Sequence, residues 1–150
     1  MSTRCCFGII NNETKTVKAS RVHCDGYING GVGYVLQKYY DTPEKIEKLF
    51  SLGYISSLGA TPEPRPNDMP WRAHDKDHSD HYKYFMENDD YVYRQTSADQ
   101  DYTWPIEFKN QKEYFEWYKG TDCEYCYLFK NGSWKVWKNG SFQKYTAKSK

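Results

Sequence analysis

Residues 124–144 read EYCYLFKNGSWKVWKNGSFQK. Three apolar-rich runs are separated by two Asn-Gly pairs, Asn131-Gly132 and Asn139-Gly140. Both residues of an Asn-Gly pair accept a positive φ, which matches the twist of a tight hairpin. With alternating apolar and polar residues in each run, the stretch predicts a three-stranded antiparallel meander. Trp134 and Trp137 are three apart, so a strand turns them to opposite faces. One fits the core and the other is free to stack on a base or a partner, with Lys135 and Lys138 alongside. The similarity of KNGSW to KNGSF is turn chemistry and is too short to mark a repeat.

Working back from the meander, Asn110-Gln111-Lys112-Glu113 is a capping start for a short helix carrying Tyr114, Phe115, Trp117 and Tyr118, ended by Gly120. Asp90 to Thr96 alternates as a strand. At the other end, Arg4–Ile10 and Thr16–His23 read as a hairpin around the polar turn 11–15. Val32 to Tyr40 has a helical period. A second helix starts at Asp41-Thr42-Pro43-Glu44, where Asp41 caps, Glu44 completes the box and Gly53 stops it. Ser56 to Asp80, rich in proline between Thr61 and Pro70, reads as irregular. The sum is an α+β single domain over residues 1–150. It consists of an antiparallel sheet (N-terminal hairpin plus C-terminal meander) with several short helices on one side.

At 150 residues the chain is long enough for a sizeable core. The formal charge of +1 excludes strong nucleic-acid binding driven by net charge. No apolar run approaches a membrane span. Cys5 to Ile10 is too short for the apolar part of a secretory signal, so the expected compartment is the cytoplasm. Aromatics make up 18% of the residues, fifteen of them tyrosines, and they supply the core area that sparse aliphatics cannot. In a reducing compartment the five cysteines are expected as free thiols. Cys123 and Cys126 have the spacing of half a zinc site or of a redox pair. In a strand they would face opposite sides, and no second pair accompanies them, so no metal is assigned there. His74, His78 and His81, interleaved with aspartates, have helical metal-ligand spacing but no apolar anchor, and read as a solvated loop.

The chemically densest stretch is residues 21–36, RVHCDGYINGGVGYVL. Gly30, Gly31 and Gly33 lie at the start of a helix, where small residues let a ligand reach backbone N–H groups whose partial charge favours phosphate. His23, Asp25 and Tyr27 flank that point and suit a ribose or a base. Neither the dinucleotide fingerprint nor the triphosphate loop is present, and no cofactor is expected. The plainer alternative is a turn at Asp25-Gly26 with glycines that permit tight helix–sheet packing.

His23-Cys24-Asp25-Gly26-Tyr27, Gly31-Val32-Gly33, Leu36, Tyr39-Tyr40 and Leu52-Gly53-Tyr54-Ile55-Ser56-Ser57-Leu58-Gly59 together resemble a family of small, largely hypothetical phage-encoded proteins. That family shows His-Trp-Asp-Gly-Tyr-Pro, a Gly-Val-Gly helix start and a Leu-Gly-x-x-Ser-Ser-Leu segment. The likeness covers about residues 15–60. Cys24 stands where the family carries Trp, and Ile28-Asn29 where it carries Pro-Glu. The resemblance implies a phage accessory protein acting in the host cytoplasm, with counter-defence as its role, and it brings no catalytic residues.

Three functions follow in order. The first is capture of a nucleotide-like host signal without catalysis, through His23, Asp25, Tyr27, Gly30, Gly31 and Gly33. The second is inhibition of a host defence enzyme by protein binding. The third is nucleotide cleavage with His23 as acid or base. The partner is thus a nucleotide-like small molecule or a host protein, and the sequence leaves open whether the chain forms a homo-oligomer.

Overall fold

Cys5–Ile10 is a run of apolar residues with no polar alternation, and a strand of that kind must be covered on both faces. In the computed structural model, which describes residues 3–64, 91–94 and 104–149, this run is β1, a central strand. It pairs antiparallel with β2 (Val17–Val22) and parallel with β7 (Tyr125–Lys130). The meander continues through β8 (Ser133–Lys138) and β9 (Ser141–Lys144), both antiparallel. Its Asn-Gly corners have the expected positive φ, 55° and 80° at Asn131 and Gly132, 53° and 90° at Asn139 and Gly140.

On the other side of β2 come β3 (Ile55–Ser57), β5 (Tyr91–Arg94) and the edge strand β4 (Thr61–Pro64), while β6 (Ile106–Phe108) pairs with the first half of β2. The hairpin and the meander are antiparallel as read from sequence. The β1–β7, β2–β3 and β4–β5 pairings are parallel, so the sheet as a whole is mixed. Part of the segment expected to be irregular is therefore strand. Pro62 and Pro64 are compatible with β4 because an edge strand has one side free of ladder bonds. The rest of that segment, with Trp71, His74, His78 and His81, lies outside the described residues.

Three helices accompany the sheet among the described residues: α1 (Val32–Tyr39), α2 (Pro43–Phe50) and α3 (Gln111–Lys119). They divide between the two faces, unlike the expected placement on one side. α1 and α2 bring Val32, Leu36, Ile46, Leu49 and Phe50 onto Cys5, Phe7, Val22, Tyr127 and Val136. α3 brings Tyr114 onto Cys6, Ile10, Val17, Ala19 and Leu128. The reason lies in β1, whose odd and even residues are both buried. The two tryptophans of β8 split as expected. Trp134 is in the first core, while Trp137 stacks on Phe115 at 3.7 Å on the second face. The cap of α2 is Thr42, whose Oγ1 accepts from the Lys45 amide at 3.4 Å, and Asp41 pairs instead with the Lys45 ammonium at 3.2 Å.

The tyrosine excess has a specific use. Tyr40, Tyr114, Tyr127 and Tyr145 donate their hydroxyls to the backbone carbonyls of Gly59, Tyr127, Gly26 and Gly33, at 2.7, 2.8, 2.7 and 2.7 Å. Each ring fills core volume while its hydroxyl finds a backbone carbonyl as acceptor. The C-terminal tail is held against α1 and the loop before it. Gln37 Nε2 donates to the Tyr145 carbonyl at 2.6 Å, and the Lys148 amide donates to Asn29 Oδ1 at 2.9 Å.

Candidate functional site

The register of β1 on β2 pairs Cys5 with Val22 and Cys6 with Arg21. Arg4, just before β1, therefore stands opposite His23, just after β2, and Arg21 shares their face. The parallel register of β7, with Tyr125 opposite Cys5, brings the preceding loop 121–124 to the same end of the sheet. There Asp122 is shared by two guanidiniums. Arg4 Nη1 lies 3.3 Å from Asp122 Oδ2, and Arg21 Nη2 donates to Asp122 Oδ1. Arg4 Nε donates to His23 Nδ1 at 3.3 Å, which places the imidazole proton on Nε2 in the neutral ring. The Arg21 guanidinium lies 5.2 Å from the centre of the Tyr54 ring, and Tyr54 meets Trp104 edge-on at 5.5 Å. Arg21 Nε is buried without a hydrogen-bond partner among the described residues.

Two thiols complete this cluster. The Cys6 and Cys123 sulfurs are 3.1 Å apart, with Cys6 donating. That hydrogen bond is the main reason the Cys123 thiol is pulled down to about 7. Thr121 and the Arg21 charge assist, and burial opposes. Cys6 moves the opposite way, raised by burial and by its bond to Cys123. The pair singled out by spacing, Cys123 and Cys126, is not the pair that meets. Cys123 lies ahead of β7, where strand alternation does not apply, so it packs on the same face as Cys126 and reaches Cys6 across the sheet. All five cysteines are free thiols, and no group of three or more His, Cys, Asp or Glu among the described residues is placed to hold a metal ion.

The glycine corner is built differently from its expected role. The amides of Gly30, Val32 and Gly33, at the helix start that was expected to face a phosphate, donate to the carbonyls of Lys148, Asp25 and Tyr27 at 2.7, 2.8 and 3.2 Å. Gly31 has no room for a side chain, since a Cβ would strike the Asp25 and Tyr27 carbonyls. A Cβ on Gly33 would lie 2.8 Å from Ile28 Cα and 3.0 Å from Tyr127 Oη. Asp25 adopts φ 59°, and its Oδ1 accepts from the exposed Tyr27 hydroxyl at 3.0 Å, a bond that raises the Tyr27 pKa. Thus Asp25 and Tyr27 meet each other, while His23 is held by Arg4 in the arginine cluster.

Arg4, Arg21, Tyr54 and Asp122 were not singled out as site residues from sequence, and Cys123 was paired there with Cys126 and not with Cys6. Strand alternation in Arg21-Val22-His23 carries the signal for Arg21. Asp122 and Cys123 depend on the non-local β1–β7 register, which leaves no local trace. Among the described residues, two surface grooves lie elsewhere. One, of about 560 Å³, is at the far end of the hairpin between Asn11, Lys18, Glu47 and Glu107. The other, of about 360 Å³, is lined by Lys38, Tyr39, Lys45 and Lys48. In the second, Lys45 and Lys48 are already paired with Asp41 and Glu63. No protein family, curated protein or solved structure matches this chain.

Proposed function

We propose that the protein captures a nucleotide-like anion without transforming it, and so withholds a signal from the host cell, the accessory role that the phage resemblance implies. One observation supports this above others: Arg4 and Arg21, two fixed positive charges beside His23, share the single carboxylate of Asp122. A guanidinium pair matches the planar, bidentate geometry of phosphate oxygens. Asp122 is 57% exposed and is free to swing aside for a competing anion. In this reading the phosphate role falls to the guanidiniums, and the glycine corner sets the path of the chain around His23.

The test is a thermal-shift screen with pyrophosphate, cyclic dinucleotides and ADP-ribose-type molecules, followed by chromatography of the ligand recovered from heat-denatured protein. A shift that is lost in Arg21→Gln, with the ligand recovered intact, is the expected result. A converted ligand would instead assign an enzyme using His23. The absence of a shift with every phosphate compound would end the capture reading in favour of a protein-binding inhibitor.

A further inference from the structure

We propose that Cys6 and Cys123 form an oxidisable dithiol in which Cys123 is the attacking thiol and Cys6 the resolving one. Several observations converge on this pair. The two sulfurs are already 3.1 Å apart, so a covalent bond of about 2.05 Å needs roughly 1 Å of closure. Cys123 is half-buried in the loop 121–124 and open to a small reagent, whereas Cys6 is fully buried behind it. That asymmetry gives the two thiols distinct roles. The Arg21 guanidinium stands beside Cys123, and its buried Nε has no hydrogen-bond partner among the described residues. The acidic character of Cys123 described above supports the same assignment. The other two buried thiols are placed differently. Cys5 packs in the opposite core, and Cys126 is buried under Tyr114 with its pKa raised by burial.

The oxidant is a small disulfide of the glutathione class. The Cys123 thiolate attacks one sulfur of that disulfide. A bond from Cys123 sulfur to glutathione sulfur forms, the original sulfur–sulfur bond breaks, and one glutathione leaves as thiolate. Cys6 then gives up its proton, attacks the Cys123 sulfur and displaces the second glutathione, which leaves as a thiolate. The two released thiolates take up the two protons lost by the protein. Two protein thiols are oxidised and one glutathione disulfide is reduced to two thiols. No bound ligand is required. The bridge ties the loop that carries Asp122 covalently to β1, beside Arg21.

The experiment equilibrates the full chain in glutathione buffers of increasing oxidised fraction, quenches with acid, alkylates and maps the peptides by mass spectrometry. The expected product is one cross-linked pair, Cys6 with Cys123, preceded in time by a glutathione adduct at Cys123. Cys123→Ser abolishes both species, while Cys6→Ala accumulates the adduct. If Cys6→Ala does not fold, the order of adduct and bridge in the unaltered chain decides the same point. At pH 7 Cys123 alkylates about tenfold faster than an ordinary thiol, as expected when it is substantially ionised. A bridge between Cys123 and Cys126, an adduct forming first at Cys24, or no bridge at strongly oxidising ratios would overturn the proposal.

Discussion

The buried hydroxyl of Tyr127 donates to the carbonyl of Gly26 at 2.7 Å, joining the middle of β7 to the corner where β2 gives way to α1. Without it the Gly26 carbonyl would be left inside the protein with a lone pair unmet. Tyr127→Phe is therefore expected to cost about 1–3 kcal/mol, the penalty for a buried unsatisfied acceptor. The comparison is Tyr118→Phe, whose hydroxyl bond to the Glu124 carbonyl at 3.2 Å is exposed and replaceable by water. Urea unfolding of both variants checks this, with a lower midpoint and unchanged slope expected for Tyr127→Phe alone. Equal losses would mean that the deep bond has no special standing.

The same corner makes a prediction about glycine. At Gly31 any Cβ would collide with two backbone carbonyls, which have no side-chain freedom to retreat. Gly120 ends α3 with φ −86° and meets nothing closer than 3.6 Å. Gly31→Ala is expected to lose more than 2 kcal/mol, in the range of backbone strain and overpacking. Gly120→Ala is expected to gain about 0.4–1 kcal/mol by restricting the unfolded chain. Thermal melts of the two proteins should move in opposite directions, and a neutral Gly31→Ala would remove the close-packing account.

The local parts of this architecture were open to reading from sequence, and the parts assembled at long range were not. The Asn-Gly corners, the hairpin, the span of α1, and the stop signals at Gly53 and Gly120 all depend on residues within a few positions of one another. The split of helices between faces was also written in Cys5–Ile10, since a strand apolar on every residue needs cover on both sides. The parallel docking of β7 on β1 has no such mark, because it is decided by how α3 returns the chain to the sheet. For that reason the site was only half legible. His23 was found, whereas Asp122 and Cys123 become its neighbours only through that docking. The tail posed a related problem, because Gln37 and Asn29 hold it through polar contacts without periodicity.

Stability should depend on pH through Cys123. Its thiol is depressed from 9.0 to about 7 in the folded chain, so the fold favours the thiolate. The stabilisation is present in full above the unfolded value, near 9, and is lost as pH falls through about 7. Cys5, Cys6 and Cys126 act oppositely. Burial raises them, so each begins to destabilise the fold once the unfolded thiols ionise above about 9. Stability of the reduced protein is therefore expected to rise between pH 7 and 9 and fall beyond it. Cys123→Ser should remove the rise and keep the fall. Denaturant titrations under reductant test this, and a rise that persists in Cys123→Ser would assign it to another group.

Asp122 should act as a competitor of the captured anion, which gives the capture reading its sharpest consequence. Its carboxylate occupies donors on both Arg4 and Arg21, the same donors a phosphate would use. Asp122 is more than half exposed, so its carboxylate can exchange the guanidiniums for water. Asp122→Asn removes the competing charge while keeping size and polarity. It is expected to tighten pyrophosphate and nucleotide binding several-fold and to steepen the salt dependence, since two uncompensated guanidiniums then face the ligand. Arg21→Gln should weaken binding and flatten that dependence. Calorimetric titrations at two ionic strengths distinguish the cases. If Asp122→Asn binds more weakly than the unaltered chain, the carboxylate is itself a ligand contact, and recognition rests on hydroxyl groups of the ligand instead of on its phosphate.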